Sequence, residues 1–216
     1  MLDKIHWLGH AAFRIDGPPT VYFDPYELNN LQPKADLILI THDHGDHCSS
    51  ADVAKVQDDA TIIVTVSAAA TKLGGNIQIV KPGDRIVAKG IEVEAIAAYN
   101  VNKFRTPGTP FHPKKSGHVG FVITIDGQRI YHAGDTDYIP EMAQLGEIDI
   151  ALLPVSGLYV MTADEAAEAA GTMRPKIAVP MHVGRGIGSM ESVHTFKEKA
   201  PVQVVILEIE QEDLGG

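Results

Sequence analysis

Within seven positions, from Thr41 to His47, the chain reads T-H-D-H-G-D-H and places three imidazoles and two carboxylates together. His42 and His44 point the same way if the segment leaves a strand in extended form, because side chains alternate with period two. A turn at Gly45 then lets Asp46 and His47 face back from a different angle. Two imidazoles on one side and an Asp–His pair on the other can hold two adjacent divalent ions. Imidazole and carboxylate donors suit zinc, and equally iron or manganese. A divalent ion lowers the pKa of bound water from 15.7 to about 7, so the chemistry on offer is hydrolysis by hydroxide at neutral pH. Carbonyl and phosphoryl centres are its targets, with the ions steadying the developing negative charge.

The cluster must be carried by a strand and followed by a helix. Leu37-Ile38-Leu39-Ile40 is apolar on both alternating faces, which predicts a strand covered on both sides. Ser49 or Ser50 can cap a helix directly afterwards. Elsewhere, strands are expected at 5–8, 12–16, 20–24, 61–65, 92–98, 118–125, 128–132, 150–153, 177–180 and 202–207. Thr162-Ala163-Asp164-Glu165 is a capping box that opens an alanine-rich helix to about Met173. Ser67 and Ser189 are expected to cap two more. Residues 13–24 echo residues 122–135, each a strand, an Asp-Gly turn, a second strand and an exit aspartate, Asp24 or Asp135. Hairpins commonly look alike; the other reading is two similar β-rich halves feeding one site. With no linker or low-complexity run, residues 1–216 are expected to form one domain.

Composition narrows the partners. The formal net charge is −10 over 216 residues, a field that repels polyanions and disfavours nucleic acid. No run approaches the ~20 apolar residues that span a bilayer, and the acidic N-terminus is unlike a signal peptide. A cytoplasmic protein without membrane contact is expected, and homo-oligomerisation is left open. Cys48 is the single cysteine, which rules out internal disulfides and fits a reducing compartment.

H-x-H-x-D-H after an apolar strand resembles the metallo-β-lactamase superfamily. Tyr131-His-Ala-Gly-Asp135 looks like the segment whose aspartate bridges both metals, and Val179-Pro-Met-His182 like the one that closes the second shell. Trp7-Leu-Gly-His10 and Phe23-Asp24-Pro25 resemble the branch of ascorbate-6-phosphate lactonases and N-acyl-phosphatidylethanolamine phospholipase D. The resemblance implies an α+β fold, a four-layer αββα sandwich with the metals at one edge of two sheets. It assigns His42 and His44 to one metal, Asp46, His47 and His182 to the other, and Asp135 to both. Histidine at position 44, where redox members usually carry glutamate, favours hydrolysis.

One expected ligand is missing. The family pattern places another histidine between the cluster and the bridging aspartate, and the matching stretch here ends in Asn100. His10 is the preferred replacement at the first metal, with His112 as a metal contact or a proton donor to the leaving group. Asp24 is expected to orient a ligating imidazole, and Asp46 to orient the nucleophile and take its proton. His118, His132 and His194 read as structural or surface residues.

The substrate side is basic. Residues 95–125 contain no Asp or Glu but hold Lys103, Arg105, Lys114 and Lys115 among three prolines, which predicts a stiff loop for a small anionic ester. Gly184 to Ser189, with Arg185, offers backbone amides for a phosphate. The expected activity is a metal-dependent hydrolase, phosphodiesterase-like or lactonase-like. It would use two divalent ions, Zn or Mn foremost, with Fe, Co or Ni as alternatives. The competing reading is a non-catalytic metal-binding protein on a decayed hydrolase fold.

Overall fold

The computed structural model describes residues 1–29, 32–184 and 186–210. Two mixed sheets face each other. The first runs in the order β1 (Ile5–Gly9), β2 (Ala12–Ile15), β3 (Val21–Phe23), β4 (Leu37–Ile40), β5 (Ile62–Thr65) and β6 (Asn76–Ile79). β7 (Arg85–Ala88) and β8 (Ile91–Ala97) start the second sheet. The ribbon β9 (Phe104–Thr106) and β10 (Thr109–Pro110) follows, then β11 (Val119–Ile125), β12 (Gln128–His132), β13 (Ile150–Pro154), β14 (Ile177–Met181) and β15 (Gln203–Val204). The second sheet has the order β15-β14-β13-β12-β11-β8-β7.

Both sheets share one plan. In each, an antiparallel hairpin, β2–β3 or β11–β12, is followed by parallel strands on its outer side. The echo between residues 13–24 and 122–135 is therefore a shared topology, and both exit aspartates emerge where a hairpin strand meets its first parallel neighbour. All four residues of β4 are completely buried, as a strand covered on both faces must be.

Helices α1 (Ser50–Val56) and α2 (Ser67–Ala70) accompany the first sheet, and α3 (Ala163–Met173) and α4 (Met190–Lys199) the second. The Ser49 hydroxyl caps α1 by accepting the Asp52 amide, and α3 carries the full capping box of Thr162 and Glu165. Ser67 proves to be the first helical residue of α2, whose N-cap is Val66, and the helix ends at Ala70. No helix among the described residues is long and apolar enough to cross a membrane.

Three strand expectations needed correction. β6 and β7 went unread because they are edge strands of four residues each; Asn76 to Ile79 alternates polar and apolar side chains but buries none of them fully, and β7 buries only Ala88. The proline-rich loop folds into the β9–β10 ribbon, since Gly108, at φ 78°, lets the chain double back. Of 202–207, only Gln203–Val204 pairs with β14. The tail then returns to β1, where the Glu210 amide donates to the Trp7 carbonyl at 2.8 Å.

Candidate metal centre

All the histidine donors lie at strand exits on one edge of the two sheets, or on the loop between β10 and β11. β4 delivers His42. The chain then turns so that the amides of His47 and Cys48 donate to the His44 carbonyl, at 3.1 and 2.8 Å. β12 delivers Asp135 through Gly134, at φ 64°, where a Cβ would stand 2.8 Å from the Val119 carbonyl oxygen. Only glycine permits that close approach. β14 ends at His182, and the β1–β2 corner presents His10. The His182 amide donates to the His10 carbonyl at 2.9 Å, tying the two together. His10, Asp24 and His182 all have φ between 41° and 60°. Left-handed backbone at non-glycine residues is costly and clusters at functional sites.

Two sets of donors result. His42, His44 and His112 form one; His10, Asp46, His47 and His182 form the other, with every donor atom of a set within 4.8 Å of the rest. Asp135 stands between them. Its Oδ1 lies 3.1 Å from His47 Nε2 and 3.2 Å from His182 Nε2, and its Oδ2 lies 3.3 Å from His112 Nε2 and 3.9 Å from His42 Nε2. Donors sharing a tetrahedral ion at 2.0–2.1 Å sit roughly 3.3–3.4 Å apart, so most of these separations fit a common cation.

The outer groups decide which nitrogens face inward. Thr41 Oγ1 lies 3.0 Å from His42 Nδ1, Asp24 Oδ2 2.7 Å from His47 Nδ1, Asn100 Oδ1 3.0 Å from His112 Nδ1, and Ser156 Oγ 3.0 Å from His182 Nδ1. The Thr41 hydroxyl spends its own proton on Asp24, at 2.6 Å, so it accepts from His42. Each contact draws the ring proton to Nδ1 and leaves Nε2 as a lone pair aimed at the centre. Accordingly His42 Nε2, His47 Nε2, His182 Nε2 and Asp135 Oδ1 are buried and make no hydrogen bond among the described residues. Lone pairs facing lone pairs at such distances require a cation between them. The residues present therefore fit divalent metal.

Electrostatics agree. Burial holds His42 well below the usual imidazole range, and burial likewise lowers His10 and His112, so all three favour the neutral, ligating form. Burial also disfavours charge on His47, but Asp135 and Asp24 outweigh it and raise its pKa. Those carboxylates favour positive charge at the centre, a demand that a divalent ion meets. Burial raises the Asp46 carboxyl, yet the His10 hydrogen bond at 3.1 Å and nearby His47 turn the net shift downward.

The gap near Asn100 is resolved geometrically. His10, expected beside His42 and His44, lies in the other set, because the β1–β2 corner packs against the β14 exit. His112 takes the place beside them. Asn100 accepts both the His112 amide, at 2.7 Å, and its Nδ1 proton, while its own amide nitrogen donates to Asp137 and to the Tyr159 carbonyl. The residue standing where the family pattern has a histidine therefore braces a candidate donor, His112. Asn100→Ala is expected to lower metal affinity about 10–100-fold, the usual cost of losing an outer-shell partner; competition with a chromogenic chelator measures it.

Asn100, Thr41 and Ser156 were not singled out as orienting groups from sequence; only the mismatch at Asn100 hinted at one. His118 is buried and stacks on His42, with ring centroids 4.9 Å apart, but belongs to neither set. His132 stacks on Phe23 and reaches the Ala11 carbonyl, while His194 is exposed on α4. Burial pushes the Cys48 thiol up to about 11, which leaves it inert.

A pocket of about 500 Å³ opens over the donors, lined by His44, Asp46, His112 and Asp135 together with Arg105, Phe111, Tyr159 and Ile187. The basic loop contributes less charge than its composition implied. Lys103 is bound to Glu165 at 2.7 Å and Lys114 to Glu141 at 2.8 Å. Arg105 lines the pocket, and no ion pair joins it to a carboxylate among the described residues. Arg185 lies outside the described residues.

Residues 4–182 match the β-lactamase superfamily domain family. A UPF0173 metal-dependent hydrolase of Thermoplasma acidophilum is 38% identical over 193 residues, covering 83% of this chain and 82% of that protein. Another, of Methanopyrus kandleri, is 33% identical over 95% of this chain and 96% of its own length. A Parabacteroides distasonis crystal structure described as a metal-dependent hydrolase superposes with a TM-score of 0.84 at 34% identity, covering 95% and 93% of the two chains. The chain belongs to the metallo-β-lactamase superfamily, with its four-layer α+β fold, and within it to the UPF0173 metal-dependent hydrolases.

Proposed function

We propose that the protein hydrolyses a small anionic ester, a phosphodiester or a lactone, with two divalent ions, zinc or manganese foremost. His42, His44, His112 and Asp135 would hold the first ion; Asp46, His47, His182 and Asp135 would hold the second, with His10 beside Asp46 in that set. The observation that carries this reading is the pair of inward-facing donor sets sharing Asp135 at the floor of an open pocket.

When bound, such ions supply hydroxide at neutral pH and Lewis-acid stabilisation of developing negative charge. The chain's own residues do the rest. Asp46 lines the pocket, where it orients the attacking water and accepts its proton. His10 fixes the Asp46 carboxylate through its Nε2 contact. His112 has both nitrogens engaged, one with Asn100 and one in the first set, which supports ligation over protonation of the leaving group.

Arg105 receives the substrate's negative charge. Reversing it in Arg105→Glu is expected to raise KM about tenfold for anionic esters, the scale of losing one charge-assisted hydrogen bond, and to leave neutral esters unchanged. Equal effects on both would remove Arg105 from recognition. Charge reversal at Lys103 is no substitute, since it would break the Glu165 pair that anchors the loop.

The activity itself is tested by screening protein loaded with Mn, Zn, Fe, Co or Ni against bis-p-nitrophenyl phosphate and simple lactones. Metal-dependent turnover of at least one ester, abolished by chelation, is expected. Failure of every metal with every ester would favour a non-catalytic metal-binding protein.

A further inference from the structure

The residues lining the pocket are of two kinds. His44, Asp46, His112 and Asp135 are candidate donors. Arg105, Phe111, Tyr159 and Ile187 are not, and they form an aromatic part of the wall in which two of the three uncharged side chains are rings. Phe111 and Tyr159 pack edge to face, with centroids 4.8 Å apart and planes at 79°. The Arg105 guanidinium carbon lies 5.6 Å from the centre of the Phe111 ring, so the cation leans on the same aromatic surface.

We infer that the substrate carries a flat, unsaturated ring next to its anionic ester, with the ring against Phe111 and Tyr159 and the anion at Arg105. This rests on the hydrolase reading above and narrows its substrates to aryl or heteroaryl anionic esters. An aliphatic chain needs only methyl and methylene lining. A ring gains in addition from offset or edge-to-face contact with two aromatic neighbours, beyond what buried area alone supplies.

The wall is built before any ligand arrives. Asp137, buried behind it, accepts the amides of Val101 and Asn102 at 2.7 and 2.9 Å. Asn100 ties this loop to the Tyr159 carbonyl at 2.8 Å, and Lys103 pins it to the start of α3 through Glu165. The Phe111 amide donates to the Lys103 carbonyl at 3.2 Å. Because Phe111 directly precedes His112, the aromatic wall and the first donor set share one braced segment. The distance from ring to reacting centre is thereby fixed, and little ordering cost remains for binding.

The test is calorimetric binding of three non-hydrolysable anions of equal charge to the manganese-loaded protein: phenyl-, cyclohexyl- and methylphosphonate. Phenylphosphonate is expected to bind about tenfold more tightly than methylphosphonate and more tightly than cyclohexylphosphonate. Tyr159→Ala and the milder Phe111→Leu, each checked for an unchanged melting temperature, should both shrink the phenyl-to-methyl ratio. Arg105→Gln should weaken all three anions alike. A wild-type ratio below about threefold, cyclohexylphosphonate binding as tightly as phenylphosphonate, or a ratio that survives both aromatic substitutions would overturn the inference. Phenyl preference without turnover of any ester would instead overturn the hydrolase reading and leave the aromatic subsite standing.

Discussion

Asp135→Ala is expected to reduce kcat/KM on the order of 10³-fold or more and to deplete both metals, because one carboxylate serves both donor sets. Its two oxygens diverge, Oδ1 towards His47 and His182 and Oδ2 towards His112 and His42. No other residue touches both sets in this way among those described. Removing it deprives His47 and His182 of the carboxylate they share and leaves the first set with imidazoles alone. The backbone should tolerate the change, since alanine fits the φ of Asp135, which lies outside the left-handed region. Metal analysis after dialysis, paired with kinetics on the best ester from the screen, checks it. Activity within tenfold of wild type would remove Asp135 from the bridging position.

The second large effect is on stability. Gly120 sits in β11, where a Cβ would stand 2.6 Å from the carbonyl oxygens of both His132 and Ala133. These are backbone atoms at the end of β12 and cannot swing aside as a side-chain tip would. β11 also pairs with β8, so moving it away from β12 disturbs two ladders. Gly120→Ala is therefore expected to cost about 3 kcal/mol, the upper range for overpacking. For a chain of this size that corresponds to a fall of roughly 6–12 °C in melting temperature. The strand end that shifts leads to Gly134 and Asp135, so metal affinity should fall with it. Thermal melts of the metal-free and metal-loaded forms separate the two contributions. A loss below about 1 kcal/mol would show that the strands can part at little cost.

Much of this was legible in the sequence because it depends on local rules. The all-apolar Leu37 to Ile40 announced a strand buried on both faces, and the alternation beyond it brought His42 to the interior. The repeated hairpin pattern offered two related halves as one of two readings, and the Thr162–Glu165 box marked where α3 starts. What remained hidden depends on closure over long separations. No periodicity tells that Asn100 will reach His112 and Tyr159 at once, or that Lys103 will be consumed by Glu165 on another element. His10 was recognisable as a site residue, but its side of the site depends on β1 meeting the exit of β14. Edge strands β6 and β7 are four residues long and bury only Ala88 between them, so their short patterns did not stand out.

The most direct measurement is the metal content and affinity of wild type, His112→Ala and His10→Ala by mass spectrometry with inductively coupled plasma and chelator competition. Wild type should hold two ions per chain. His112→Ala should retain one, because the first set loses a third of its imidazoles while the second keeps all its donors. His10→Ala should retain both, with the second site loosened about 10–100-fold through the freed Asp46 carboxylate. Two ions held by His112→Ala at wild-type affinity would contradict the assignment of His112 to the first metal.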